Sequence, residues 1–259
     1  MKYGFIGCGN MGGAIARALA KATKDFMLTD RSGKAAALAQ ELGVQYGTNE
    51  EAVGCQRVFL GVKPQMMAQV LQPLQPILAE KKPVLITMAA GLTIARIREL
   101  AGGNYPVIRI MPNTPSSIGE GMILYTCSSD ITKTEEKVFL EAMSGAGRLS
   151  ALPEHQMDAG SAVSGCGPAF VDLFIEALAD GGVACGLPRA AAMEYAAQMV
   201  LGAAKLILES GKHPGELKDA VCSPGGTTIQ GVRTLEEAGF RGAVMDAVIA
   251  AYEKTLELK

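Results

Sequence analysis

Tryptophan is absent, histidine occurs twice, and charge is scarce: 24 Lys and Arg against 26 Asp and Glu leave a formal net charge of -2 over 259 residues. That balance offers no basic footprint for nucleic acid, so a small-molecule partner is expected. Six cysteines (Cys8, Cys55, Cys127, Cys166, Cys185, Cys222) lack CxxC spacing, and only His155 and His213 could assist them, so neither zinc nor a disulfide framework is expected. The thiols read as reduced, small hydrophobes, in keeping with a cytoplasmic location. No apolar run reaches membrane-spanning length without a charged residue, so no membrane partner is expected, and Met1-Lys2-Tyr3-Gly4-Phe5-Ile6-Gly7 reads as a strand rather than an export leader.

What is present is a hydrophobic content of 49% and a length that accommodates two domains of ordinary size. β-rich runs at 3–6, 26–29, 57–62, 84–88, 107–110 and 122–127 alternate with helical stretches, the pattern of a doubly wound, Rossmann-type parallel sheet. A last short strand is expected at 149–153, after which Ala-, Leu- and Met-rich helices take over. The expected fold is therefore α/β, with a dinucleotide-binding domain over 1–152 and an all-α dimerisation and substrate domain over 153–259. Pro73 and Pro76 are expected to leave a short helix followed by irregular chain. In residues 169–180, Asp172, Glu176 and Asp180 form one narrow polar row, which predicts a mostly buried helix. In 190–209 the polar positions Glu194, Gln198, Lys205 and Glu209 again leave a wide apolar surface, and two such helices predict a homodimer packed through them.

Gly7-Cys8-Gly9-Asn10-Met11-Gly12 fits G-x-G-x-x-G between a predicted strand and a predicted helix. In that setting Gly7 allows the tight turn, Gly9 lets backbone approach a pyrophosphate, Gly12 permits close packing, and the amides of Asn10 and Met11 face the phosphates. Asp30-Arg31-Ser32 follow the second strand, where the adenosine ribose is read. Asp30 suits the 2′-hydroxyl of NAD and Arg31 with Ser32 a 2′-phosphate; NADP is favoured, with NADPH the expected donor and NADH possible.

Near the C-terminus, Leu217-Lys218-Asp219-Ala220-Val221-Cys222-Ser223-Pro224-Gly225-Gly226-Thr227-Thr228 precedes an apolar-periodic stretch through Ile229, Val232 and Leu235. With Gly61-Val62-Lys63-Pro64, Ala89-Ala90-Gly91-Leu92-Thr93, Met111-Pro112-Asn113-Thr114-Pro115 and Gly165-Cys166-Gly167-Pro168-Ala169, it makes the chain resemble the pyrroline-5-carboxylate reductases over nearly its whole length. Cys166 stands where Ser is usual, and Gly61 where Ala is common; both exchanges are small for small.

The resemblance implies reduction of the cyclic imine 1-pyrroline-5-carboxylate to L-proline by NADPH or NADH, in a protein that dimerises through its helices and in some relatives forms a ring of dimers. A glycine loop opening a helix suits a carboxylate, so the Ser223 hydroxyl and the amides of Gly226 and Thr227 are expected to hold it. Helix capping is the other use of Ser223 and Thr228. By resemblance the Thr228 hydroxyl lies near the ring nitrogen as the catalytic group, orienting it and relaying a proton from water. Val62, Lys63 and Pro64 are expected to line the cofactor, Asn49 to touch its adenosine end, and Ala89, Ala90 and Gly91 to approach the nicotinamide ribose. Met111, Asn113 and Thr114 are expected near the nicotinamide. The resemblance places Glu154 beside the substrate, a helix-start role being equally open to it. His155, His213 and the Lys63 ammonium are assigned no catalytic part.

Two alternatives remain at this level. A β-hydroxyacid dehydrogenase would carry a catalytic lysine on the helix after a glycine-rich segment, and residues 169–180 contain none. A dinucleotide-binding regulator without turnover would bind NADPH but leave cyclic imines unreduced.

Overall fold

The computed structural model describes residues 1–257 and divides into two compact units, Met1–Cys166 with the chain from Ala251 on, and Gly167–Ala250. The first holds an eight-stranded sheet in the order β3-β2-β1-β4-β5-β6-β7-β8. Its strands are β1 (Tyr3–Ile6), β2 (Phe26–Thr29), β3 (Gln45–Tyr46), β4 (Arg57–Leu60), β5 (Val84–Thr87), β6 (Val107–Met111), β7 (Gly121–Cys127) and β8 (Gly147–Ala151). From β3 across to β6 every pairing is parallel. β1 and β2 are buried along their whole length, which is why they read as unbroken apolar runs rather than alternating ones.

Apolar clusters cover both faces. Ile15, Leu19 and Phe139 pack on one side with Phe5, whose ring stacks on Phe59 at 4.3 Å. Val53, Met67, Leu71, Leu78 and Ile97 pack on the other. The order turns back at β1, with β2 on one side and β4 on the other, and a ligand crevice is expected beyond the carboxyl ends of those strands.

Two details differ from the expectations. β7 runs antiparallel to β6, because the link from Met111 to Gly121 is a 3-10 turn (Thr114–Ser117), too short for a parallel crossover. Instead of irregular chain, a 3-10 turn (Gln72–Leu74) and a helix (Gln75–Lys81) follow helix Met67–Leu71, with Pro73 and Pro76 in their first turns, where no amide is lost. The compact sheet unit runs on to Cys166, with Met157 of helix Met157–Ser164 buried against Met111 and Leu124.

The second unit is helical: Gly167–Ala184, Arg189–Ser210, Pro214–Ala220, Thr227–Glu237 and the start of Phe240–Glu257. Helix Gly167–Ala184 is mostly exposed within the single chain. Ala179, Ala192 and Ala196 are the unit's buried residues among those described, while Leu173 is 69% and Leu208 70% exposed. Phe170, Leu173, Phe174, Leu235 and Phe240 line an apolar hollow of about 470 Å³. Segments Glu154–Ala184 and Arg189–Ser210 are long and apolar enough on average to cross a membrane despite their charged residues.

Candidate active site

In the sheet unit the loops after β1, β2 and β4 enclose a cavity of about 250 Å³. Gly7, Cys8, Gly9, Asp30, Arg31, Ser32, Asn49, Gly61, Val62 and Lys63 are among its lining residues. Gly7 takes a φ of +97°, and a Cβ at Gly12 would come within 2.1 Å of the Gly7 carbonyl oxygen, so the turn is closed by backbone against backbone. A Cβ at Gly61 would lie 2.4 Å from the same oxygen, so alanine there is not a neutral exchange in this loop geometry. Gly9 differs: a Cβ there would meet nothing within 4 Å.

Gly9 caps helix Asn10–Ala22 without a side chain, and the first bond of helical spacing runs from the Gly13 amide to the Gly9 carbonyl at 2.7 Å. The amides of Asn10, Met11 and Gly12 precede it at the positive end of the helix. The open space at Gly9 and these amides fit a dinucleotide pyrophosphate. Burial pushes the Cys8 thiol up to about 12, so it sits in the loop as a neutral group.

Asp30 is committed within its own loop. It accepts from the Ser32 amide at 3.2 Å, the Ser32 hydroxyl at 2.9 Å and the Ala35 amide at 3.1 Å. Arg31 is exposed and makes no ion pair among the described residues. Asn49 accepts from the Thr29 hydroxyl at 3.1 Å through its side-chain oxygen. Lys63 caps the 3-10 turn Pro64–Met66 with extended backbone, its side chain exposed, and Pro64 opens that turn.

After β5, Ala89, Ala90 and Gly91 form a tight turn: the Leu92 amide donates to the Ala89 carbonyl at 3.4 Å, and Gly91 takes a φ of +76°. This turn lies outside the residues lining the cavity. Glu154 accepts from the Ile94 amide at 2.7 Å, at the start of helix Ile94–Ala101, and the same oxygen is 3.6 Å from a guanidinium nitrogen of Arg109. Its contacts here are thus with the protein. Met111 is buried in the core, Thr114 opens its 3-10 turn, and Asn113 is spent on bracing. Its oxygen accepts from the Met122 amide at 3.0 Å and its nitrogen donates to the Ser164 carbonyl at 2.9 Å.

Arg109 and Asp158, which pair at 2.7 Å at 1% and 4% exposure, were missed from the sequence. The available signal was one arginine inside the apolar run Val107-Ile108-Arg109-Ile110-Met111, a position where a charge needs a buried partner.

In the helical unit Ser223-Pro224-Gly225-Gly226 is a β-turn: the Gly226 amide donates to the Ser223 carbonyl at 3.0 Å, and Gly225 takes a φ of +69°. That corrects one expectation. The Gly226 amide is used within the turn, so the first open amides are those of Thr227 and Thr228, which begin helix Thr227–Glu237. Gly226 contributes by lacking a side chain, since a Cβ there would lie 2.4 Å from the Ser223 hydroxyl oxygen. Gly226 is also the N-cap, without a side-chain cap bond, so neither Ser223 nor Thr228 is spent on capping. Both are exposed, at the positive end of an eleven-residue helix.

Residues 154–258 match the family profile for pyrroline-5-carboxylate reductase dimerisation, and residues 2–91 match that of the coenzyme F420-dependent NADP oxidoreductases. The chain is 40% identical to the pyrroline-5-carboxylate reductase of Escherichia coli, over 99% of this chain and 98% of that one. It is 42% identical to pyrroline-5-carboxylate reductase 3 of Danio rerio, over 100% and 91%. A crystal structure of the Plasmodium falciparum pyrroline carboxylate reductase with NADP bound superposes with a TM-score of 0.88 at 33% identity, covering 99% of this chain and 97% of that one. With its glycine loop, its reversed sheet and its Ser-Pro-Gly-Gly turn in place, the chain belongs to the pyrroline-5-carboxylate reductase family.

Proposed function

We propose that this protein reduces 1-pyrroline-5-carboxylate to L-proline with NADPH as the favoured donor, acting as a cytoplasmic homodimer. The observation that carries the reading is the Ser223–Thr228 segment, which offers open amides and unspent hydroxyls at a helix start. An anion is favoured there by the helix dipole, and the Ser223 hydroxyl with the Thr227 amide suits the two oxygens of a carboxylate.

The cofactor, when bound, supplies the hydride that goes to the imine carbon; the ring nitrogen must then carry a proton. The Thr228 hydroxyl is too weak an acid to give up its proton outright, so it orients the nitrogen and relays a proton from water. Gly7, Gly9, Asn10, Met11 and Gly12 would hold the pyrophosphate. Val62, Lys63 and Pro64 would flank the cofactor, with Asn49 at its adenosine end and Ala89, Ala90 and Gly91 at the nicotinamide ribose. Preference for the 2′-phosphate is supported by Asp30, whose carboxylate is already taken by Ser32 and Ala35, leaving Arg31 as the free group at that edge. Dimerisation is supported by Leu173 and Leu208, too exposed for a lone subunit, and by the apolar hollow beside Phe174. The cysteines, all free, accord with a reducing compartment.

The test is the fall in NADPH absorbance, and separately of NADH, on adding 1-pyrroline-5-carboxylate to the purified protein. Turnover is expected with both and faster with NADPH at limiting concentration; an NADPH-binding protein that oxidises neither would be the regulator instead. Thr228→Ala is expected to lower kcat by about 10²-fold, the low end of general acid-base contributions, with a smaller change in KM. A raised KM at unchanged kcat would remove Thr228 from the transition state.

A further inference from the structure

We infer that Arg109 is a positioning residue: through Glu154 it fixes the amide of Ile94, and with it the turn Ala89–Gly91. The inference rests on the proposal that this turn carries the nicotinamide end of the cofactor.

Arg109 sits on β6 with its guanidinium fully buried. One nitrogen meets Asp158 at 2.7 Å and another faces Glu154 at 3.6 Å, while Nε has no partner among the described residues. A buried ion pair is weak grounds for stability, since well-packed apolar residues of similar volume often serve as well. The cluster's geometry points to another use. Its carboxylate at Glu154 leaves the cluster and takes the Ile94 amide, where helix Ile94–Ala101 begins, two residues after the turn closes at Leu92.

The other bonds holding this segment are longer. The Met88 amide reaches the Leu60 carbonyl at 3.3 Å, the Ala89 amide the Thr87 hydroxyl at 3.3 Å and the Leu92 amide the Ala89 carbonyl at 3.4 Å, while Thr93, the N-cap, accepts from the Arg96 amide at 3.2 Å and the Ile97 amide at 3.0 Å. The Glu154 bond, at 2.7 Å, is the short one and has an ionised acceptor, the class with roughly twice the strength of a neutral bond. Ala90 also packs against the cluster of Met111, Leu124 and Met157, and Met157 is next to Asp158 in its helix. Arg109 therefore ties the helix beneath Ala90 and the acceptor for Ile94 to one strand of the sheet. For hydride transfer this matters, because a misplacement of about 1 Å can cost roughly 10²-fold in rate.

Two variants test the link without relying on turnover. Glu154→Ala removes the acceptor, and Arg109→Lys keeps a charge for Asp158 but loses the fork that also faces Glu154. Amide exchange by mass spectrometry, on the cofactor-free protein, is expected to quicken about tenfold or more at residues 88–94 in both, with exchange in β1 and β4 unchanged. Glu154→Gln, which keeps an oxygen for Ile94, should restore most of the protection. In kinetics, Glu154→Ala and Arg109→Lys should lower kcat by about tenfold or more, with NADPH affinity within about threefold of the parent and a larger primary isotope effect from 4-deuterated NADPH. Unchanged exchange at 88–94 in Arg109→Lys overturns the inference, as does a Glu154→Ala effect confined to KM for the imine, which would make Glu154 a substrate contact. If the parent protein itself oxidises no NADPH, the functional proposal fails, while the exchange result still decides the mechanical link.

Discussion

The two units solve burial differently. The sheet unit encloses its own core, with Phe5, Phe59 and Phe139 each at most 1% exposed and apolar side chains on both faces. The helical unit closes around Ala179, Ala192 and Ala196 and leaves leucines in solvent. Apolar area removed from water is the main favourable term in folding, so the first unit gains its stability within one chain while the second leaves apolar area uncovered there. The cavity beside the glycine loop lies wholly in the sheet unit, and the Ser223–Thr228 segment in the helical one.

The sharpest way to break that comparison is to charge the exposed face. Leu173→Glu is expected to raise the dimer dissociation constant by about a thousandfold, near 4 kcal/mol, for a carboxylate left unpaired in an apolar contact. Sedimentation against concentration checks it; a dimer unaffected by the change would show that Leu173 stays wet. NADPH binding by the sheet unit should survive.

A smaller effect divides the glycines of one loop. Gly12→Ala forces a methyl against the Gly7 carbonyl and should destabilise the sheet unit by about 1–3 kcal/mol, the usual cost of overpacking, seen as a lower Tm. Gly9→Ala, with open space around it, should leave Tm within a degree or so while weakening NADPH binding. Equal melting shifts in the two would erase the distinction between a packing glycine and a ligand-facing one. The mildest change is Arg31→Ala, expected to raise KM for NADPH about tenfold, the loss of one charge-assisted bond, and to leave that for NADH nearly unchanged. A parallel rise for both would mean that Arg31 stacks on adenine instead.

The glycine loop and most buried strands were legible because their demands are local: period, turn residues and a helix start lie within a few positions of one another. β3 was not, as Gln45 and Tyr46 are two exposed residues paired with β2 only through backbone. Neither was the reversal at β7, which depends on how short a link must run. The Arg109–Asp158 pair joins positions 49 residues apart, so only the arginine's discomfort in an apolar strand hinted at it. At the Ser-Pro-Gly-Gly turn the motif indicated a helix start, but the use of the Gly226 amide emerged only from the turn's hydrogen bond. The helical faces stated that cover is needed, not whose atoms provide it.

The open space at Gly9 also bears on how such genes age. Gly12 is held by contact with its own loop, so drift there is purged in any copy that must still fold. Gly9 touches nothing of the kind, and on the proposed reading only a dinucleotide in place would select for it. A duplicate relieved of its reaction should accordingly lose Gly9 early and Gly12 late, and the order of those losses would date the retirement of the cofactor separately from the decay of the fold.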